Sequence, residues 1–466
     1  MLNELQAIVG DKNILHSGKE KERFTHIWKT DQPLEALAIV FPTSTEEVAA
    51  VMKLCHSKNQ EVVVHGGLTN LVGGTGSQPH QVVISLEKMN RIEEIDTQSR
   101  TMTVEAGTIL EHAIDAAAEK DLFLPLSFGA KGSAHVGGIV STNAGGLRVF
   151  RYGMTRQMVL GLEAVLPDGT IITSLKKIIK DNSGYDLKQL FIGAEGTLGI
   201  VTRVTFRLLE KPSSRSSAIV ALSEYKNVVA LLKFLEKGLG GTLSGFELMW
   251  QRTYQAMTQP PSTYSPPLPS SYPYYVFVES LGSNRQTDFE QLTLLIEDAL
   301  EKEIILDGVM AQTERELQNI WRIREDVSVL ADQSPYDQHF DISLPIGVIG
   351  QEVNHAIEAL EKLPFVSSIF PFGHVADGNI HFIIGKKDQS KEIIEAINSI
   401  IYANLKKNNG SVSAEHGIGL DKKAYLPTSR NATEIKLMQL LKATIDPKNI
   451  LNPGRIVDCS TSPPVL

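Results

Sequence analysis

The chain is poor in cysteine and in aromatic residues, carries no excess of positive charge, and has no long apolar run. Only two cysteines, Cys55 and Cys459, occur in 466 residues. Two thiols so far apart suggest neither a disulfide framework nor a thiolate metal site, so a reducing compartment fits. Acidic residues outnumber basic ones, 54 to 45, for a net charge of −9. No Lys/Arg cluster forms a phosphate-tracking stripe, which argues against nucleic acid as a partner. No apolar run reaches the ~18 residues that a transmembrane helix needs. The opening M-L-N-E-L-Q-A-I-V-G-D-K has no cationic segment followed by an apolar one, so no secretory signal or transit peptide is expected. A cytoplasmic protein is expected, although a mature organellar one without its presequence would read the same way. Oligomeric state has no signature here, and a homodimer stays open.

What is present is ordinary globular material, 42% hydrophobic and 21% charged. The length is too great for one core and predicts two or three domains. From 36 to 210, short β-branched strands alternate with helices. Leu37–Val40 reads as a strand, and Ser44 with Glu47 predicts a capping box opening a helix with Val48, Val51, Met52 and Cys55 on one face. Thr108 and Glu111 suggest the same at an alanine-rich helix. K-P-S-S-R-S-S-A at 211–218 reads as a linker. The proline-rich stretch 259–274 reads as a long surface loop or lid. Helical patterns at 285–303, 314–331, 351–362 and 390–407, with strands at 274–280, 341–344 and 380–384, predict a sheet covered by helices. The fold class expected is α+β.

Three glycine clusters punctuate the first half: V-V-V-H-G-G-L-T-N-L-V-G-G-T-G ending at 76, S-F-G-A-K-G-S-A-H-V-G-G-I-V-S-T-N-A-G-G at 127–146, and I-G-A-E-G-T-L-G-I-V at 192–201. Glycine loops expose backbone N–H groups that can hold pyrophosphate, yet none of these is a Rossmann fingerprint or a P-loop. Each glycine costs chain entropy on folding, so three clusters within about 140 residues point to an extended ligand. Further on, P-F-G-H-V-A-D-G-N-I-H-F at 371–382 sets His374 and His381 around Asp377-Gly378. A two-residue turn at Asp-Gly would place the two histidines directly opposite, with Cβ atoms about 5 Å apart, close enough for one divalent ion. The spacing alone also fits a plain hairpin with two partly solvated histidines.

The run P-L-S-F-G-A-K-G-S-A-H-V-G-G-I-V-S-T-N-A-G-G-L-R, followed by R-Y-G-M and G-Y-D-L-K-Q-L-F-I-G-A-E-G-T-L-G-I-V-T, resembles the FAD-binding domain of the vanillyl-alcohol-oxidase/PCMH superfamily. G-H-V-A-D-G-N-I-H, S-A-E-H-G-I-G and D-P-K-N-I-L-N-P-G-R resemble its FAD-linked D-2-hydroxyacid dehydrogenase branch. That branch includes D-2-hydroxyglutarate dehydrogenase, D-lactate dehydrogenase and the glycolate oxidase D subunit, and the likeness is nearest to the first. It covers residues from about 30 to 457. It implies a PCMH-type FAD-binding domain of two α+β subdomains at 1–210, an α+β substrate or cap domain at 211–415 with an antiparallel sheet under helices, and a segment 416–466 returning to the FAD domain.

The same resemblance implies site residues. Gly66, Gly67, Leu68, Thr69, Asn70 and Leu71 would cradle the FAD pyrophosphate, and Gly132, Ser133, Gly137, Gly138, Thr142 and Asn143 would follow the cofactor. Glu195 and the backbone of Ile200 and Val201 would hold its adenosine end, and Asn452 would return near the isoalloxazine. No covalent tether is seen, so dissociable FAD is expected. His374, His381 and Glu415 would bind a divalent metal, zinc first, with iron or manganese open. His416 would be the base. Substrate contacts would come from Arg324 and Ser328, four apart on one helix face, with His339 and Asn379. His339 stands where the hydroxyglutarate enzymes have lysine, which leaves the exact diacid open.

The chemistry implied is oxidation of a small 2-hydroxy acid, D-2-hydroxyglutarate first and D-lactate or glycolate next. The metal would acidify the hydroxyl, His416 would take its proton, and hydride would pass to FAD. The electron acceptor, whether electron-transfer flavoprotein, quinone or another, has no sequence signature. Two other classes compete. A zinc hydrolase could use the same histidines to activate water but leaves the glycine clusters unexplained, and a silent flavin-binding subunit would not be reduced by any 2-hydroxy acid.

Overall fold

β-Branched runs bounded by glycine and proline become strands throughout the computed structural model, which describes residues 1–27 and 30–459. The chain divides into two compact units. One comprises 1–145, 153–211 and 415–466; the other comprises 146–152 and 212–414. The excursion of 146–152 was not anticipated, and Glu415 falls with the first unit.

The first unit holds two larger sheets and two two-stranded ones. β1 (Ile14–Leu15), β2 (Ala38–Val40), β3 (Val62–His65) and β4 (Val82–Ser85) lie in the order β1-β2-β4-β3. The β2/β4 and β4/β3 pairs are parallel. Helix Thr45–Ser57 buries Val48, Val51, Met52 and Cys55 against them. Its expected capping box is half formed: Ser44 accepts the Glu47 amide, while the Glu47 carboxylate reaches past it to Thr43. The second sheet, antiparallel, orders β5 (Ile92–Asp96), β6 (Thr101–Glu105), β7 (Val159–Val165), β8 (Ile171–Ser174) and β9 (Ile200–Arg207) as β8-β7-β9-β6-β5. The alanine-rich helix begins only at Leu110, and Thr108 makes no cap to it.

The second unit is built on one seven-stranded sheet. β10 (Ser214–Leu222), β11 (Leu243–Trp250), β12 (Tyr274–Gly282), β13 (Asp307–Met310), β14 (Tyr336–Ser343), β15 (Val366–Gly373) and β16 (Asn379–Lys386) take the order β13-β10-β12-β11-β15-β16-β14. On one face Ile219, Met249, Phe277 and Phe372 form a core with Ile320 and Trp321 of helix Glu314–Glu325. Helices Tyr225–Leu239 and Arg285–Glu301 pack against β10 and β12.

One expectation fails here because a polar run does not mean unpaired backbone. Most of the serine run read as a linker is the start of β10, where buried Ser217 accepts a hydrogen bond from Trp321 Nε1 at 2.8 Å. The proline-rich stretch is, as expected, an irregular and largely exposed loop up to the strand at Tyr274, and it is pinned at several points. Tyr254 donates to the Leu268 carbonyl at 3.1 Å, Gln255 donates to that of Ser270 at 2.9 Å, and Leu268 is buried.

Candidate active site

In the first unit the three glycine stretches meet. After β3 the chain turns through Gly66, Gly67 and Leu68, the last at φ +56°. A Cβ on Gly67 would lie 1.9 Å from the Ser133 carbonyl oxygen, so only glycine lets the 66–71 loop rest on 132–134. Gly137 is equally confined, since its Cβ would sit 2.7 Å from that of Ala106. Gly138 has open space on that side. Asn70 holds the loop by accepting the amides of Val72 (2.9 Å) and Gly74 (2.8 Å). The third stretch reaches helix Val136–Thr142, with the Glu195 amide donating to Ser141 O at 2.7 Å and the Gly193 amide to Val140 O at 3.1 Å.

These residues fit an extended phosphate-bearing cofactor. Gly67 and Gly137 let the loops pack closely, Gly138 beside them leaves the main chain bare, and the adjoining His135 has a buried Nδ1 with no hydrogen-bond partner. Burial lowers the pKa of His135 against the opposing effect of Glu87, which favours a neutral ring.

Three of the residues assigned to the cofactor, Glu195 and Ile200 at its adenosine end and Asn452 near the isoalloxazine, have protein partners in the structure. The Glu195 carboxylate accepts the amides of Ile418 and Gly419, each at 2.7 Å. Asn452 donates to Glu195 O at 2.8 Å, accepts the Val64 amide at 2.9 Å, and its own amide donates to Val62 O at 2.8 Å. Glu195 and Asn452 lie at φ +49° and +44°, in turns whose buried main-chain groups need partners. Their side chains therefore clamp backbone. Ile200 buries its side chain in the core and pairs with Val165. Burial pushes the Glu195 carboxyl up, opposed by the two amides, Lys422 and Arg455.

The clamp positions the segment that carries two predicted site residues. Glu415 and His416 lie half-buried in a loop just before Gly417, whose φ is +87°. A Cβ on Gly419 would come within 2.1 Å of Val72 O, and the Leu420 amide donates to that oxygen at 3.0 Å. The 415–420 loop thus rests on the first glycine loop. Spacing could not have revealed this, because Glu195 and Ile418 are 223 residues apart.

In the second unit, β15 and β16 form the predicted hairpin, with a different turn. The register pairs Phe372 with His381, and residues 374–378 form a five-residue connection containing a turn of 3₁₀ helix at Val375–Asp377. Only Gly378 takes positive φ, whereas the two-residue turn needs it at both central positions. His374 is therefore diagonal to His381. The rings still meet, edge to face, with centroids 5.2 Å apart, and a nitrogen of one lies within 4.8 Å of a nitrogen of the other.

Buried carboxylates surround this pair. Glu247 accepts from His374 Nδ1 at 2.5 Å and from Arg324 Nε at 2.8 Å. Burial raises its pKa, but His374 and Arg324 outweigh that and leave it lowered. Asp341 lies 3.9 Å from His381 Nδ1 and accepts Asn379 Nδ2 at 2.8 Å, Ser413 Oγ at 3.1 Å and the Ala414 amide at 3.1 Å. Asn379 Oδ1 is buried with no hydrogen-bond partner. Burial pushes the Asp377 carboxyl up to about 6, with His374 opposing.

The Arg324/Ser328 pair does not share a helix face. The helix ends at Glu325, Asp326 caps it, and Ser328 bonds to Asp326. Arg324 is buried, paired with Glu247 and stacked 4.8 Å from the Phe372 ring centre. His339, on the Asp341 face of β14 by strand alternation, has Nε2 3.3 Å from Asp337.

Comparison with known proteins gives consistent matches. Residues 36–174 match a family described as FAD binding domain, and residues 211–456 match FAD linked oxidases, C-terminal domain. The chain is 39% identical over 413 residues to the mitochondrial D-2-hydroxyglutarate dehydrogenase of Rattus norvegicus, covering 88% of this chain and 76% of the rat protein. It is 38% identical to a mitochondrial protein of Schizosaccharomyces pombe provisionally named a D-lactate dehydrogenase, over 97% of this chain and 89% of that one. Among solved structures, p-cresol methylhydroxylase with substrate bound superposes with a TM-score of 0.77 at 18% identity, covering 98% of this chain and 96% of that one. No helix among the described residues is long and apolar enough to cross a membrane.

Proposed function

This chain belongs to the FAD-linked oxidases, and on that premise we propose that it oxidises a D-2-hydroxy acid, D-2-hydroxyglutarate first, to the 2-oxo acid. The observation that carries the chemistry is the pairing of buried His374 with half-buried His381, flanked by Glu247 and Asp341. FAD, when bound, supplies the two-electron acceptor, and Gly66–Leu71, Gly132, Ser133, Gly137, Gly138, Thr142 and Asn143 are the residues that would hold it. A divalent ion, zinc first, supplies a Lewis acid, and His374, His381 and Glu415 are its proposed ligands. The Ala414 amide is tied to Asp341, so the Glu415 Cα follows one residue on, about 3.8 Å along the chain.

The remaining work falls to protein groups. Oxidation removes a proton from the hydroxyl and a hydride from C2. His416 collects the proton, and the loop clamp at Glu195 holds its backbone for that role. Arg324 and the unpartnered Asn379 Oδ1 orient substrate, one toward carboxylate and the other toward a donor such as the hydroxyl. His339 stands nearest the question of diacid or monoacid. D-lactate is the second reading, favoured by the absence of lysine at 339 and by the S. pombe relative's name. The acceptor is proposed to be a separate protein or quinone, and the location cytoplasmic or, as both relatives' names say of them, mitochondrial.

Anaerobic mixing of the purified flavoprotein with D- and L-2-hydroxy acids tests this. Bleaching by D-2-hydroxyglutarate, faster than by D-lactate and absent with L-acids, is expected; a flavin that no D-acid bleaches sinks the reading.

A further inference from the structure

Glu247 is the one charged residue of β11, in the run L-S-G-F-E-L-M-W, and all eight residues of that strand are buried. A carboxylate in such a strand needs compensation, and its two oxygens are divided between two partners. Oε2 accepts from Arg324 Nε at 2.8 Å, with Nη2 2.6 Å away, and Oε1 meets His374 Nδ1 at 2.5 Å. Register makes this possible: Leu248 pairs with Gly373, so the next position outward brings 247 beside 374. Arg324 is held from its other side by the Phe372 ring at 4.8 Å, and Phe372 lies 5.3 Å, centre to centre, from the His381 ring.

An acceptor-only group at Nδ1 requires that nitrogen to carry the proton, which leaves the lone pair on Nε2. It also fixes the ring plane and makes Nε2 the stronger donor to a metal. As a plain stabilising ion pair the arrangement would be poorly justified, because burying charges costs about as much as their attraction returns. We infer that Glu247 is a positioning residue that sets the tautomer and orientation of His374 for a metal ion, with Arg324 keeping the carboxylate in place. This rests on the metal reading of the His374/His381 pair proposed above.

The test is calorimetric titration of chelator-treated, flavin-loaded full-length protein with Zn²⁺. Glu247→Gln is expected to weaken Zn²⁺ binding roughly 10- to 100-fold, the usual cost of losing such a partner, with flavin content unchanged. Because that variant leaves Arg324 without its anion, the double variant Glu247→Leu/Arg324→Leu removes the pair together and should weaken binding similarly while folding normally. Histidine ¹⁵N spectra of the metal-free proteins should show His374 as the Nδ1–H tautomer in the wild type and lose that fixed state in the double variant. Variants that bind Zn²⁺ as tightly as the wild type overturn the positioning role. A wild type that binds no Zn²⁺ overturns the metal reading itself and the inference with it.

Discussion

In the first unit, Gly67 and Gly137 matter through what they omit, because a single Cβ would collide with Ser133 or Ala106. In the second, Glu247 and Glu279 matter through what they hold: Glu247 joins Arg324 to His374, and Glu279 joins Arg148, Arg215 and Ser244. One unit presents bare main chain, suited to a ligand rich in phosphate oxygens. The other presents fixed charge and imidazole, suited to a small acid and a proton. Two recognition problems thus receive two physical solutions. A missing Cβ is written at one position, whereas a buried charge network needs several side chains brought together once distant strands have paired.

The contrast breaks first at Gly67. Gly67→Ala drives a methyl into the Ser133 carbonyl, and the expected outcome is protein that fails to fold or carries no flavin, read from visible absorbance per chain. Full flavin content in that variant would show that the close approach is dispensable. Next comes Arg148→Met, which leaves Glu279 with Arg215 and the Ser244 hydroxyl; a loss of about 3 kcal/mol in chemical denaturation is expected. A change below about 0.5 kcal/mol would mean the second unit's charges are incidental.

Acid should sharpen the same point. Burial pushes Glu279 up, yet Arg148 and Arg215 outweigh it and hold the carboxyl down to about 2, below its ordinary 4.5. Its folded pKa is depressed, so its contribution is complete above the unfolded value and is lost as pH falls through about 2. That contribution is on the order of 3 kcal/mol. Denaturation midpoints should fall across this window in the wild type, and Arg148→Met should flatten that dependence; parallel curves for the two proteins would refute the assignment. The smallest stability effect is expected at Gly138→Ala. Its Cβ meets nothing within 4 Å, so apoprotein stability should change by no more than about 1 kcal/mol. FAD affinity should nevertheless fall, since the methyl occupies the proposed cofactor surface, and unchanged affinity would move the cofactor off that surface.

Much of this was readable beforehand because some signals are local. Val48, Val51, Met52 and Cys55 share a helix face by spacing alone and are buried. The hairpin at Asp377-Gly378 was legible as a reversal, but its register was not: Asp377 entered a 3₁₀ turn, and His374, Val375 and Ala376, all on its N-terminal side, joined the loop. The Arg324/Ser328 reading failed for a similar reason, since the periodicity of 314–331 hides the break at Asp326 and Val327. Glu247, Glu279 and Asp341 were not singled out, because an acid in an apolar strand has no meaning until its partner is known. Those partners lie 77 residues away for Arg324 and Glu247, and 131 for Arg148 and Glu279.

By itself the amino-acid order determined where the backbone must go bare, which runs become strands, and which family's motifs the chain carries. Those properties depend on φ, on side-chain volume and on short-range spacing, all carried by a few neighbouring residues. Only the tertiary structure decided that Glu195 and Asn452 serve the backbone, that His374 is turned by Glu247, and that Arg324 is anchored before it meets any substrate. Hydrogen bonds between residues far apart in sequence are set by strand register and burial, which come from the whole fold and leave no mark in any short stretch of it.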